Sequence, residues 1–294
     1  MRTLMTGSTG FIGRHLASVL IENGHEVFAI VRPETKREWL VPGVTVCLHE
    51  GAVHELDSIF SRARPDVVVH LAARFQDRHL PGDVEGLVDA NVTFGAMLLE
   101  TMAQHGVRRL VNTGTSWQHH QSQTYAPTCL YAATKHAFEA LLRYYVNTQG
   151  INVVTLKLFD TYGPDDTRGK LLSQFVRMLR DGSSLDMSPG EQLIDLVHVD
   201  DVVWAYRMAM DRLASGVAQG EESYAVSSGR HIPLRELAAI FSRCVGAPLH
   251  INWGARPYRE REVMAPWSTG LPLPGWGPNV ELEEGLRRLY ADHV

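Results

Sequence analysis

Cysteine is scarce in this chain: three in 294 residues, at Cys47, Cys129 and Cys244. They are widely separated and odd in number, which argues against a disulfide framework and against a thiolate metal site. Reduced thiols in a cytoplasmic protein are the expectation they leave. Excess basic charge is missing too. The net charge is −5 and the lysines and arginines are scattered, so there is no footprint for nucleic acid. No apolar run approaches the length of a membrane span. The first glycine turn comes too early to leave an apolar signal core ahead of it. Internal repeats and low-complexity tracts are absent. Fourteen histidines are a high count, yet none stands at His-x-x-x-His spacing. The adjacent His119 and His120 would diverge on a helix or strand, which suits pocket or surface residues and not a metal pair. No metal is expected.

What is present begins with glycine. Thr6-Gly7-Ser8-Thr9-Gly10-Phe11-Ile12-Gly13 follows a short apolar stretch, Leu4-Met5, and precedes a segment whose Ile12, Leu16, Val19 and Leu20 share one helical face. Strand, glycine turn and helix in that order make a phosphate cradle. Gly7 permits the tight turn, Gly10 lets the backbone approach a pyrophosphate, and Gly13 lets the helix pack on its strand. His25–Val31 reads as the second strand.

With 45% apolar composition the chain can bury a substantial core. Val44–Leu48, Asp66–Leu71, Arg109–Thr113 and Asn152–Phe159 read as further strands, several apolar throughout, as in a parallel sheet covered on both faces. Gly24, Gly106 and Gly150 close the intervening helices. The beat of strand and helix predicts an α/β, Rossmann-type doubly wound parallel sheet with ligands at its carboxyl edge. Beyond Gly163-Pro164 the rhythm changes. Leu171–Arg180 is an amphipathic helix, 186–190 a loop, Asp200–Asp211 a helix and Ser223–Ser227 a strand. A stretch rich in Pro, Gly and Trp (251–279) precedes a last short helix. The expected division is a dinucleotide-binding unit of 1–164 plus about 192–227, and a smaller interleaved C-terminal substrate unit of 165–191 plus about 228–294.

Tyr131 and Lys135 lie four apart where Ala137, Phe138, Leu141, Leu142 and Tyr145 recur at helical spacing, so the two share a face. A phenol with an unperturbed pKa of about 10 is a weak acid or base at neutral pH. A neighbouring ammonium is expected to draw it down toward the working range. Thr113, Thr115 and Ser116 place hydroxyls at the end of a predicted strand, at the ligand edge.

The glycine spacing and Tyr131-Ala132-Ala133-Thr134-Lys135 together resemble the extended short-chain dehydrogenase/reductase family. Val69–Ala73, Leu158–Pro164, Val197–Asp201 and Gly275–Pro278 extend the likeness over nearly the whole chain. That family includes nucleotide-sugar epimerases, dehydratases and ketoreductases. The resemblance implies a catalytic set of Thr115, Tyr131 and Lys135, with Thr113 and Ser116 left open as alternatives for the hydroxyl. It implies dinucleotide contacts from Gly7, Thr9, Gly10, Phe11, Ile12, Gly13, Leu71, Ala72 and Ala73 besides Tyr131 and Lys135. Asn91 resembles a supporting helix asparagine, and a homodimer is the implied assembly.

Cofactor preference turns on the end of the second strand. Members that use NAD carry an acid there; this chain has Val31 and then Arg32, a guanidinium suited to a 2′-phosphate, with Arg14 a second candidate. NADP(H) is therefore favoured over NAD(H). His49-Glu50 stand where an adenine-contacting Asp is usual, which puts that contact in doubt. The dehydratases carry Asp-Glu directly after the site threonine. Here Ser116-Trp117 follow, so elimination lacks its acid/base pair. The combined epimerase-reductases carry a cysteine where Trp117 stands.

Asp160 replaces a usual asparagine. Ile194 replaces one arginine of a sugar-nucleotide diphosphate site, whereas Arg259 matches the other. The expected substrate contacts are Thr115, Ser116, Trp117, Asp160 and Arg259. The run Asn112–Lys135, with Leu185–Asp201, resembles bacterial nucleotide-diphosphate-6-deoxyhexose 4-reductases of the type that make CDP-abequose. The implied reaction is NADPH-dependent reduction of the C4 ketone of a nucleotide-linked 4-keto-6-deoxyhexose. The alternatives are a nucleotide-sugar 4-epimerase that retains its NAD(P), and a non-catalytic NADP-sensing protein, although the latter tends to lose Tyr or Lys.

Overall fold

The computed structural model describes residues 1–292. Strand β1 (Arg2–Thr6) and helix α1 (Phe11–Glu22) flank the glycine turn, followed by β2 (Glu26–Val31), β3 (Thr45–Leu48), α2 (Val53–Ala63) and β4 (Val67–His70). Helix α3 (Val84–Val88) runs through a π segment at Asp89–Thr93 into α4 (Phe94–Gln104). Then come β5 (Arg109–Thr115), α5 (Leu130–Gln149), β6 (Asn152–Leu158) and β7 (Asp160–Tyr162). The remainder is α6 (Leu171–Asp181), β8 (Leu185–Met187), β9 (Leu193–His198), α7 (Val199–Ala214), β10 (Glu221–Val226), β11 (His231–Pro233), α8 (Leu234–Val245), β12 (Ile251–Trp253) and α9 (Leu282–Ala291).

Seven strands form one sheet in the order β10-β6-β5-β4-β1-β2-β3, and every neighbouring pair is parallel. The order reverses between β1 and β4, and at such a switch point the two following loops diverge and open a crevice for a ligand. The apolar runs of β1, β2, β4, β5 and β6 are buried on both faces, whereas the edge strand β3 leaves Val46 and Leu48 exposed. Leu16 and Leu20 of α1 and Val202, Tyr206 and Ala209 of α7 cover one face; Leu56, Phe60, Leu98 and Phe138 cover the other. Gly24, Gly106 and Gly150 all take positive φ, as helix-closing residues do.

A second core holds Phe175, Leu237, Phe241, Leu286 and Leu289 around two small sheets. One has the order β11-β9-β7 and the other pairs β8 with β12. Two readings differ here. The segment 186–190 was expected to be loop, but Asp186 and Met187 pair with Asn252 and Trp253 in β8. Residues 160–162 and 193–198 were placed with the dinucleotide unit, whereas β7 and β9 pair with each other and with β11, outside the large sheet. Three-residue strands carry too little periodicity to be read from sequence.

Two expected motifs meet at the seam. Asp201 is 3% exposed, and its carboxylate accepts the Asn279 and Val280 N–H groups at 3.0 and 3.1 Å. The Trp276 indole donates to the Asp201 carbonyl at 2.9 Å. The α7 N-terminus thus ties down the Gly275–Pro278 segment.

Candidate active site

The glycine turn is built for close approach. Gly7 has φ +70°, and a Cβ there would lie 2.6 Å from the Ala72 nitrogen; a Cβ on Gly13 would lie 2.1 Å from the Gly7 carbonyl oxygen. The turn packs against the end of β4, where the Leu71 N–H donates to the Thr6 carbonyl and the Ala72 N–H to the Thr6 hydroxyl. No side chain caps α1 at Gly10, and no acid stands in its first turn. Its N-terminal amides are open to an anion. Ser8 carries a buried hydroxyl without a partner among the described residues. An uncapped helix, a crowded glycine cradle and an orphaned hydroxyl fit a dinucleotide pyrophosphate. Phe11 is buried in the core and Ile12 packs against it. Of these two expected contacts only the backbone amides can serve.

Arg32 directly follows β2 at the carboxyl edge, exposed and paired with Glu34 at 3.2 Å. The Arg14 guanidinium donates to the Asp165 carbonyl at 2.8 Å. Glu55 takes up the room at the end of β3. Its carboxylate accepts the Glu50, Gly51 and Ala52 N–H groups and lies 3.0 Å from the buried His49.

Thr115 ends β5 and starts a short turn, Ser116–Gln118. Its hydroxyl oxygen accepts the Trp117 N–H at 3.3 Å, and its proton has no protein acceptor among the described residues. That proton is free to face a ligand. The alternative Thr113 hydroxyl is committed inward, donating to the His70 carbonyl at 2.8 Å and meeting the Tyr206 hydroxyl at 2.6 Å.

Tyr131 lies in the first turn of α5, with Lys135 one turn on and 2% exposed. Among the described residues no carboxylate pairs with Lys135. Burial pushes its ammonium down to about 8, opposed by the Glu139 carboxylate. Burial also pushes the Tyr131 phenol up, with Cys129 adding to the shift. The expectation that Lys135 would draw the phenol down is not met: loss of water around the phenolate dominates.

Asn91 lies in the π segment, 1% exposed. It accepts the Arg74 N–H at 2.8 Å and donates to the Arg74 carbonyl at 3.0 Å and the Thr134 hydroxyl at 2.9 Å. It clamps the loop after β4 to the helix turn between Tyr131 and Lys135, a supporting role and not a solvent-facing one. Such π segments recur at functional sites because the extra residue redirects side chains.

Phe75 is a residue that sequence reasoning missed. Its ring stands edge-on to Tyr131 at 5.0 Å, lies 5.6 Å from Trp117 and carries the Lys170 ammonium 3.9 Å from its centroid. No motif marks it, since it sits in a loop. Trp117 in turn lies 5.4 Å from the Arg259 guanidinium. Arg259 is paired twice, with Glu262 and with Asp77. Asp160 is exposed at this mouth. The Lys170 and Arg168 charges stand near its carboxylate. Ile194 is turned into the small core.

The glycine cradle at the switch point, with a hydroxyl, a phenol and a buried ammonium at the same sheet edge, suits a dinucleotide-dependent enzyme. The chain belongs to the NAD dependent epimerase/dehydratase family, which it matches over residues 3–226. It is 26% identical to a CDP-abequose synthase from Salmonella muenchen over 99% of this chain and 97% of that protein. The solved UDP-glucose 4-epimerase of Thermotoga maritima with UDP-glucose superposes with a TM-score of 0.86 at 25% identity, covering 99% and 98% of the two chains. The Thermus thermophilus UDP-glucose 4-epimerase in complex with NAD gives 0.84 at 26% identity, covering 100% and 99%.

Proposed function

We propose that this protein reduces the C4 ketone of a nucleotide-diphosphate-linked 4-keto-6-deoxyhexose with NADPH. The observation that supports the reductive direction best is the likeness, at 26% identity over 99% of this chain, to a CDP-abequose synthase. Tyr131 would give the proton that ketone reduction requires.

A bound reduced nicotinamide supplies the hydride. Everything else falls to the chain. Gly7, Gly10 and the α1 amides receive the pyrophosphate, and Arg32 receives the 2′-phosphate in place of the acid that would select NAD. The Lys135 ammonium, buried without a carboxylate, holds the nicotinamide ribose. Thr115 donates its free hydroxyl proton to the ketone oxygen and fixes the carbonyl. Tyr131 then protonates the oxygen as charge develops on it. Trp117, Phe75 and Asp160 line the sugar's approach, with Arg259 beyond them for the diphosphate. The absence of a carboxylate pair after Thr115 argues against water elimination.

Retained-cofactor 4-epimerisation is the second reading, favoured by the close superposition on the two solved epimerases. Purified protein, NADPH or NADH, and a panel of 4-keto-6-deoxy sugar nucleotides separate the two by absorbance at the nicotinamide band. Net consumption supports the reductase. Sugar turnover without consumption supports the epimerase.

A further inference from the structure

Behind Thr115 lies a buried polar chain in which every bond has only one possible direction. The Gln123 carbonyl is an acceptor, so the His119 Nδ1 that meets it at 3.1 Å carries the proton. His119 Nε2 is then a bare acceptor, and it takes a bond from the Lys157 ammonium at 2.9 Å. Lys157 also donates to Glu139 Oε2 at 3.1 Å. The other Glu139 oxygen accepts the Gln118 amide nitrogen at 3.0 Å. That bond settles which way the Gln118 amide faces: its carbonyl oxygen points at Thr115 and accepts the Thr115 N–H at 2.9 Å. Gln118 is fully buried, while Lys157 and His119 are 5% and 7% exposed. Gly114 leaves the space for this chain. A Cβ there would sit 3.0 Å from Lys157 Cγ and 3.1 Å from both the Gln118 and Glu139 oxygens.

We propose that Gln118 is a positioning residue for the Thr115 hydroxyl, its amide orientation fixed by Glu139 and, behind that, by Lys157. The inference rests on the reading of Thr115 as the hydroxyl that meets the substrate carbonyl. Physically, the Thr115 backbone is held by Gln118 and its hydroxyl oxygen by the Trp117 N–H, so the one group left free is the hydroxyl proton. An amide turned the other way would present an N–H to the Thr115 N–H. The two donors would repel and the turn at 116–118 would shift. Displacements of about 1 Å at such a site cost on the order of 10²-fold in rate.

The test is a double-mutant cycle of Gln118→Met and Thr115→Val, read on reduction of a CDP-linked 4-keto-6-deoxyhexose by NADPH. Methionine keeps the volume without leaving a buried charge, and thermal unfolding checks that each variant folds. Gln118→Met alone should lower kcat about 10- to 100-fold with the NADPH KM within about twofold. In the Thr115→Val background it should cost almost nothing further, because the group it positions is gone. Equal kcat losses in both backgrounds overturn the positioning role while leaving Thr115 in place. A Thr115→Val enzyme that works at the parental rate overturns the reading of Thr115 itself, and the positioning role with it. An unchanged kcat in Gln118→Met also overturns the proposal.

Discussion

Arg259 and Glu262 form a two-point ion pair, with Nε 3.1 Å from one carboxylate oxygen and Nη2 2.8 Å from the other. The third guanidinium nitrogen reaches Asp77 at 3.1 Å. From sequence, Arg259 is the main cation for a substrate diphosphate. In the structure it is already paired with two carboxylates, and a second cation, Lys170, is seated on Phe75 within reach of the Asp160 charge. A diphosphate that reaches Arg259 must displace carboxylates that match the guanidinium fork as well as phosphate does.

Two outcomes follow for this pair. Arg259→Ala should raise the apparent substrate constant by one to two orders of magnitude, about the worth of a charge-assisted bond of 1.5–3 kcal/mol, and spare NADPH. Glu262→Gln should lower that constant, since it frees the guanidinium. Steady-state kinetics on the nucleotide sugar, beside a small ketone without a diphosphate, provides the check. If Arg259→Ala binds and reduces the nucleotide sugar normally, the diphosphate contact lies elsewhere.

Tyr131→Phe keeps the ring against Phe75 and removes only the transferable proton. Turnover should fall by roughly two to four orders of magnitude while dinucleotide binding stays nearly intact. Lys135→Ala should do worse, since it loses ribose contacts as well as the ammonium. Fluorescence titration with NADPH beside turnover separates the two effects. Parental turnover in Tyr131→Phe would move the site.

The pH dependence follows from Lys135. Its ammonium is charged below about 8 and neutral above it. The charge that the proposed ribose contact and help for proton transfer need is therefore present at neutral pH and fades as pH rises through about 8. A profile of kcat/KM, which reports groups of the free enzyme, should decline from there. A plateau extending to pH 10 contradicts this.

The large sheet was legible in the sequence because most of its strands are apolar on both faces and α1, α4 and α5 close on Gly24, Gly106 and Gly150. The proposed trio of Thr115, Tyr131 and Lys135 could be marked from sequence because two of its members share one helix face and the third stands at a strand end. Phe75, Lys170, Gln118, Glu139 and Lys157 could not. Phe75, Lys170, Glu139 and Lys157 lie on different elements and only tertiary packing gathers them around the site, while Gln118 sits in the turn after Thr115 but its amide orientation is set by the distant Glu139. The upward shift of the Tyr131 phenol was missed for a similar reason: spacing reveals the ammonium one turn away, but not how much water is lost around the phenolate.

Arg32→Ala should weaken NADPH binding by about one to two orders of magnitude and leave NADH nearly untouched, because the 2′-phosphate alone distinguishes them. Parallel titrations with both cofactors decide. Equal losses point to a structural Arg32, and no loss moves the phosphate to Arg14.

Asp201→Ala leaves the Asn279 and Val280 N–H groups without their acceptor, each worth about 1–3 kcal/mol when buried. Stability to urea should drop by roughly 2–4 kcal/mol at an unchanged m-value. A shift below about 0.5 kcal/mol would mean the C-terminal segment is held by its apolar contacts instead.

The central claim is a net transfer of hydride from NADPH to C4 of a nucleotide-linked ketosugar. NADPH deuterated at the transferring position, incubated with a CDP-linked 4-keto-6-deoxyhexose and the enzyme, tests it most directly, with the product read by mass spectrometry and NMR. The account predicts one deuterium per product, bonded to C4, with one NADPH consumed for each. Product that carries no deuterium while NADPH stays constant would contradict it and leave retained-cofactor epimerisation in its place.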